Sequence, residues 1–393
     1  MKPIALYLHI PFCRRKCLYC DFCSFPGHRE AFGPYLDALE RELAARWNPQ
    51  WRVATLYLGG GTPTVLPPAA LARLIRAVKS VAPRPPEAEV TVEANPGTVD
   101  GEGLVELRAA GVNRLSLGAQ SGDNRLLKRL GRGHTTEDVE RTVALAREAG
   151  FTNINLDLIF GLPGETIDDW QKTLKWAIAL HPEHLSCYGL QLEEETPLFR
   201  MVEAGQVRLP DEEEVSAMFL ANTRILPAAG YEQYEISNFA RRPAPEDAGN
   251  KGEGPATYRC RHNLIYWQYG DYLGLGLAAV STLAGRRYTN LAKLEEYLAA
   301  VHRESWPVAA EEALSRRQGM AEMLMLGFRL RSGPDPDAFY ARWGVTIDEV
   351  LGGTVEPLMA AGFLQREAGR YRLTTRGMLL SNPVLAEMLA PLL

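Results

Sequence analysis

The 393-residue chain is 46% apolar and 23% charged, ordinary globular usage with enough length for about two or three domains. Its formal net charge of −5 argues against a nucleic-acid binder, which needs a basic surface to meet phosphates. Six cysteines are too sparse for a disulfide framework, and no apolar run of about 18 residues exists to span a membrane.

The first element is a buried strand, Ile4-Ala-Leu-Tyr-Leu-His-Ile10, ended by Pro11. The apolar run is short and carries His9 and Pro11, unlike a signal peptide, so the chain reads as cytoplasmic with reduced thiols. Directly after it comes Cys13-Arg-Arg-Lys-Cys17-Leu-Tyr-Cys20. The spacing C-x3-C-x2-C suits an iron–sulfur cluster, and three thiolates on four irons leave one iron open to a ligand. The alternative is a closed zinc site, with Cys23 or His28 as fourth ligand. Either way, the cysteines leave the C-terminal end of a first strand, where barrel-type α/β folds build their sites.

Further strands are expected at 54–58, 89–94, 113–118, 153–160 and 184–190, alternating with amphipathic helices. That alternation predicts a parallel sheet with helices outside it. Four Ala-Gly pairs followed by a large residue, at Gly111, Gly150, Gly230 and Gly362, read as helix stops. Thr166 with Asp169 resembles a capping box opening a helix over 167–180. Six βα units are too few for a closed eight-stranded barrel and fit an open one. The expected fold is therefore α/β, a partial (β/α)6 barrel over 1–230.

Polar residues stand where these strands end. Gly59-Gly60-Gly61-Thr62-Pro63 follows the second strand and lets a ligand approach the backbone and several N–H groups closely. Glu93, Gln120 and Asp157 follow on later strands, and Arg132 lies in a Gly-Arg-Gly loop where it could meet a carboxylate. Each alone reads as a hydrogen-bonded interior residue or a surface arginine. Together, beside a glycine loop and a cysteine triplet, they point to a polar cofactor at the barrel mouth.

Residues 241–257 carry Pro, Gly and charge without periodicity and read as a flexible insertion. A barrel extension over 231–309 then holds a strand-like run at 261–267 and a glycine-rich stretch at 270–276. Gly274-Leu-Gly276 with Ala279 resembles a dinucleotide fingerprint, but it lies outside the βαβ region and is weak. Residues 310–393 are mostly helical, with a hairpin over 363–373 turning near Ala368-Gly369. That arrangement suggests a C-terminal α+β region ending in a winged-helix-like unit. Its charges nearly cancel, which favours docking or structure over DNA binding.

On these residues the chain resembles the radical S-adenosylmethionine superfamily, in the branch around oxygen-independent coproporphyrinogen III oxidase. The resemblance rests on the cysteine motif, the Gly59–Pro63 loop, the strand-end polar residues and the string Tyr7-Leu-His-Ile-Pro-Phe-Cys13. It implies that Cys13, Cys17 and Cys20 hold a 4Fe–4S cluster whose fourth iron is chelated by S-adenosylmethionine. Electron transfer from the cluster, fed by an electron donor, would then make a 5′-deoxyadenosyl radical. It further implies that Tyr7, Gly60, Gly61, Thr62, Glu93, Gln120, Arg132 and Asp157 contact one or two S-adenosylmethionine molecules.

Two departures set the chain apart from the oxidase. Phe22 stands where the oxidase has a further Cys, with Cys23 one position later, and only twelve residues precede Cys13 where the oxidase has a long arm. Both features are similar to the heme-chaperone members of the branch, as is His262-Asn-Leu-Ile-Tyr266-Trp267, a motif associated there with heme binding. Delivery of heme to acceptor proteins is the function this implies; decarboxylation of coproporphyrinogen III is the alternative. Read as a strand, 262–267 puts His262, Leu264 and Tyr266 on one side with Cys260, leaving His262, Tyr266 or a thiolate open as heme ligand. Arg259 and Arg261 would meet propionates. The plainer reading of His262 and Tyr266 is an interior hydrogen-bonded pair. Their distance in sequence from the cysteines predicts a heme site separable from the cluster by mutation.

Overall fold

The computed structural model describes residues 1–242 and 257–392; most of the insertion expected at 241–257 lies outside the described residues. A twelve-stranded sheet forms the body. Its strands are β1 (Lys2–Ile10), β2 (Trp51–Gly60), β3 (Glu89–Ala94), β4 (Arg114–Gln120), β5 (Ile154–Phe160) and β6 (His184–Gly189). They continue as β7 (Tyr231–Gln233), β8 (Asn238–Arg241), β9 (Tyr272–Leu275), β10 (Val280–Leu283), β11 (Arg286–Asn290) and β12 (Val308–Ala313). The spatial order is β12-β11-β10-β9-β1-β2-β3-β4-β5-β6-β8-β7. Strands β1 to β6 pair in parallel and in sequence order, each within a few residues of its expected place.

Alternation divides each strand chemically. Leu6, Leu8, Leu56, Leu58, Val90, Val92, Leu115, Leu117, Leu156 and Leu158 are fully buried on the helix-covered face. They join one cluster with the apolar stripe Leu71, Leu74, Ile75 and Val78 of the helix Pro68–Val81. Full burial of each such side chain favours folding by about 1.5–3 kcal/mol. The other face carries Tyr7, Tyr57, Glu93, Ser116, Asn155, Asp157 and Ser186, so the lumen is polar. The four predicted helix stops all take positive φ, at 103° for Gly111, 85° for Gly150, 89° for Gly230 and 75° for Gly362. The Thr166–Asp169 capping box opens the helix Ile167–Ala179.

Two features depart from expectation. First, β9 joins the free edge of β1 in parallel, with Leu6 opposite Leu273 and Tyr7 opposite Gly274, so seven parallel strands stand side by side. The glycine stretch is thus a strand and its turn. A Cβ at Gly274 would run into the Val280 carbonyl, and one at Gly276 would meet Tyr35 Oη at 2.5 Å, which explains the glycines without a dinucleotide. Second, 261–267 is a helix, Arg261–Trp267, not a strand. Its first two N–H groups, of Arg261 and His262, donate to the two carboxylate oxygens of Glu89 at 3.0 Å each. A carboxylate at an N-terminus meets both the unpaired donors and the positive dipole end. That anchor lies more than 170 residues away in sequence, so local propensity could not reveal it.

Beyond β12, the helix Arg316–Gly327 leads into shorter helices. The predicted hairpin follows as β13 (Leu364–Glu367) and β14 (Arg370–Leu373), turning on Ala368 and Gly369, both at positive φ. Helices flank it on both sides.

Candidate functional site

Cys13 closes a two-residue strand that runs out of β1, and Cys17 and Cys20 follow on the next loop. All three are free thiols. Burial pushes the Cys20 thiol up, and Cys17 and Cys13 add repulsion, so the three lie in mutual electrostatic reach. They do not converge on one point: among the described residues no three His, Cys, Asp or Glu side chains form a single-ion site. Cys23 turns away, its Sγ 3.7 Å from the Ala292 carbonyl, and His28 pairs with Glu30. Neither supplies a fourth zinc ligand here.

A chain of polar contacts links the cysteine loop to the strand ends. Cys13 Sγ lies 3.7 Å from Thr62 Oγ1, which accepts from Asn95 Nδ2 at 2.7 Å. Asn95 Oδ1 accepts from Arg132 Nη2 at 2.5 Å, and Arg132 Nη1 reaches Cys17 Sγ at 3.3 Å. Arg132 also donates to the Gly118 carbonyl at 2.7 Å, while its buried Nε has no partner. Within the protein, Arg132 thus meets a thiol, an amide and a carbonyl. A guanidinium beside Cys17 offsets the charge of a thiolate-held cluster.

The glycine loop works by closeness. A Cβ at Gly59 would meet Tyr57 at 2.8 Å and Glu93 at 3.0 Å. One at Gly60 would meet the His9 ring at 2.5 Å, and one at Gly61 the Phe12 carbonyl at 2.6 Å and Cys13 Sγ at 3.0 Å. The expectation of several free N–H groups is corrected: Gly60 donates to Glu93 Oε2, Gly61 to the Ile10 carbonyl and Thr62 to the Phe12 carbonyl.

Glu93 also accepts from Tyr57 Oη at 2.8 Å. Burial pushes its carboxyl up to about 7, against that hydrogen bond, with Asp157 adding repulsion. Asp157 accepts from Ser116 and Asn155 at 2.9 Å each, and burial raises its pKa as well. Gln120 ends β4 at φ 67°, a strained setting for a non-glycine residue. Its Nε2, Asn95 Oδ1 and Arg132 Nη2 all crowd the space a Gly118 Cβ would fill. Tyr7 Oη lies 3.0 Å from His9 Nδ1, and His9 Nε2 lies 2.8 Å from the Cys23 carbonyl. A carbonyl can only accept, and burial lowers the His9 pKa, so neutral His9 donates from Nε2 and accepts the Tyr7 proton. The structure thus brings the glycine loop, Glu93, Gln120 and Arg132 beside the cysteine loop at the C-terminal ends of the parallel strands, with Tyr7 and Asp157 within their strands on the lumen face. Asn95, Tyr57 and Glu89 went unread in the sequence; alternation marks Tyr57, and Asn95 stands two residues after Glu93.

Deeper in the lumen lies the His–Tyr motif. His262 is 1% exposed; its Nδ1 is 2.7 Å from Thr55 Oγ1 and its Nε2 is 2.7 Å from Tyr266 Oη. Burial, aided by the Arg114 charge, pushes its pKa down to about 3, so it is neutral. The shared side that a strand would give these two residues comes from i, i+4 helix spacing instead. Buried Cys260 points its Sγ at Glu89, 3.7 Å away, while Arg259 pairs with Glu232 and Arg261 donates to the Glu87 carbonyl. The His262 ring centroid is 5.0 Å from that of Tyr57, which holds Glu93. Tyr57 therefore stands between His262 and Glu93.

Comparison with known proteins agrees with this geometry. Residues 7–177 match the radical SAM superfamily, and 314–380 match the HemN C-terminal domain. The chain is 33% identical to the heme chaperone HemW of Bacillus subtilis (strain 168), over 99% of this chain and 100% of that protein. It is 34% identical to that of Escherichia coli (strain K12), over 99% of each chain. Its fold matches the coproporphyrinogen III oxidase HemN from Escherichia coli with a TM-score of 0.82 and 25% identity, over 100% of this chain and 90% of that one. A likeness that runs end to end at this level is one of descent, and the chain belongs to the HemW family of the radical SAM superfamily.

Proposed function

We propose that this protein is a cytoplasmic heme chaperone, which binds heme and passes it to acceptor proteins. The observation that carries this is the full-length relationship to heme chaperones HemW. It is supported locally by Phe22, 62% exposed beside the cysteine loop, at the position where the oxidase carries a further cysteine. No helix among the described residues is long and apolar enough to cross a membrane.

The residues present fit a 4Fe–4S cluster and S-adenosylmethionine. Three thiols in electrostatic reach, without a closed fourth ligand, suit a cluster with one open iron. Cys13, Cys17 and Cys20 would hold it, and Arg132 would balance its charge. The crowded glycine loop leaves backbone rather than side chains facing a ligand, and Glu93 offers a carboxylate for an ammonium group. Gly60, Gly61 and Thr62 would line that ligand, with Tyr7, Gln120 and Asp157 around it. Bound together, cluster and S-adenosylmethionine supply one-electron cleavage of a sulfonium, for which an electron donor is a further partner. His262 and Tyr266 are the heme-motif residues.

The test is a single anaerobic preparation assayed for iron, sulfide, heme binding and coproporphyrinogen III turnover. Heme binding with no turnover supports the chaperone. Turnover without heme binding supports the oxidase, the reading that the fold match to HemN favours.

A further inference from the structure

A cavity of about 490 Å3 opens beside the barrel mouth. Its lining joins four parts of the chain: Tyr7 and His9 of β1, Tyr266 of the motif helix, Val280 of β10, and Met325 of the helix Arg316–Gly327. The volume lies within the range of about 300–1,000 Å3 usual for small-molecule sites. Tyr266 and Tyr272 pack edge to face against each other, ring centroids 4.6 Å apart, and together form an aromatic wall of it. Such walls suit a flat, largely apolar ring. Arg287 and Glu322, paired at 2.6 Å, both stand on the lining, so a ligand carboxylate would meet the guanidinium by exchanging with Glu322. An aromatic and aliphatic chamber with an exchangeable guanidinium–carboxylate pair on its wall fits a planar macrocycle bearing carboxylates.

His262 does not reach this chamber. Both its ring nitrogens are held by Thr55 and Tyr266, and it is 1% exposed. Tyr266, its hydrogen-bond partner, does line the wall. Resting on the heme-binding reading above, we infer that this cavity seats the heme, and that His262 is a positioning residue that fixes Tyr266 on the wall. The inner wall is then shared with the S-adenosylmethionine site. Tyr7 lines the cavity, and the ring of its neighbour Tyr57, at 6.2 Å, leads to Glu93.

The experiment uses the full-length, cluster-loaded protein, with hemin titrated by Soret absorbance and S-adenosylmethionine by calorimetry. Val280→Trp fills the chamber from β10. Met325→Trp fills it from a side chain that is already 36% exposed, so the fold tolerates the change. Both should weaken hemin binding at least tenfold while cluster absorbance and S-adenosylmethionine affinity stay within twofold. Wild-type hemin affinity in both variants overturns the cavity assignment. A wild-type protein that binds no hemin instead removes the chaperone reading itself, so the two failures are distinguishable. For the positioning role, His262→Gln and Tyr266→Phe should shift the Soret band alike, and the double variant should add nothing further. A His262→Gln shift that persists in full in the Tyr266→Phe background overturns that role.

Discussion

Arg132 donates to Asn95 at 2.5 Å, and that bond completes a polar chain from Cys13 to Cys17 through Thr62. The two outer cysteines of the motif's first spacing are thereby braced from outside their own loop. Asn95→Leu removes both the donor to Thr62 and the acceptor for Arg132. Leaving such buried groups unsatisfied costs about 1–3 kcal/mol each. The variant should lose its cluster faster than wild type on exposure to air, read as decay of the broad visible absorbance. Equal decay rates would show that the chain does not support the cluster.

Serine at Cys13, Cys17 or Cys20 should abolish that absorbance, since each supplies one thiolate. Cys23→Ser should retain it, because the Cys23 thiol faces the Ala292 carbonyl. Iron and sulfide analysis of the four variants checks both statements.

Glu93 carries a pH dependence with a definite sign. Its folded pKa of about 7 is raised above the unfolded carboxylate value by burial. The folded state therefore holds a proton that the unfolded chain has released, and this contribution to stability is full below about pH 4.3 and lost as pH rises through about 7. Glu93→Gln should flatten that part of the stability curve, measured by denaturant unfolding from pH 4 to 8. Ligand binding should run the opposite way. The affinity for cationic S-adenosylmethionine should rise from pH 6 to 8 in the wild type and stay flat and weaker in Glu93→Gln.

Gln120 separates strain from contact. Its positive φ costs about 1–3 kcal/mol in a non-glycine residue. Gln120→Gly should be more stable than Gln120→Ala by about 1 kcal/mol. Both should bind S-adenosylmethionine more weakly than wild type. Equal unfolding midpoints for the two variants would remove the strain argument.

His262→Ala strips Thr55 and Tyr266 of a buried partner and opens a gap beside Tyr57. The expected cost is about 2–5 kcal/mol. Because Tyr57 holds Glu93, S-adenosylmethionine affinity should fall as well, with the cluster retained. Glu89→Gln should destabilise the protein through the N-terminal end of the same helix, where it anchors the N–H groups of Arg261 and His262. Calorimetric binding and thermal unfolding of both variants test this coupling.

The sequence by itself determined what is local. Six strands, the glycine stops, the Thr166–Asp169 cap and the Ala368-Gly369 turn are each specified by residues a few positions apart. The cysteine spacing and the strand-end polar residues were legible for the same reason: a parallel sheet in sequence order must bring consecutive strand ends together. Tertiary structure alone decided the rest. The run 261–267 carries aromatic and branched residues that suit a strand, yet it is a helix because the Glu89 carboxylate meets its first N–H groups. The glycine stretch became a seventh parallel strand because β1 had a free edge with unpaired backbone groups. The cavity exists because that strand brings Tyr272 against Tyr266 while a helix from the C-terminal part closes over them. Each of these depends on partners far apart in the chain, whose contact no local pattern encodes.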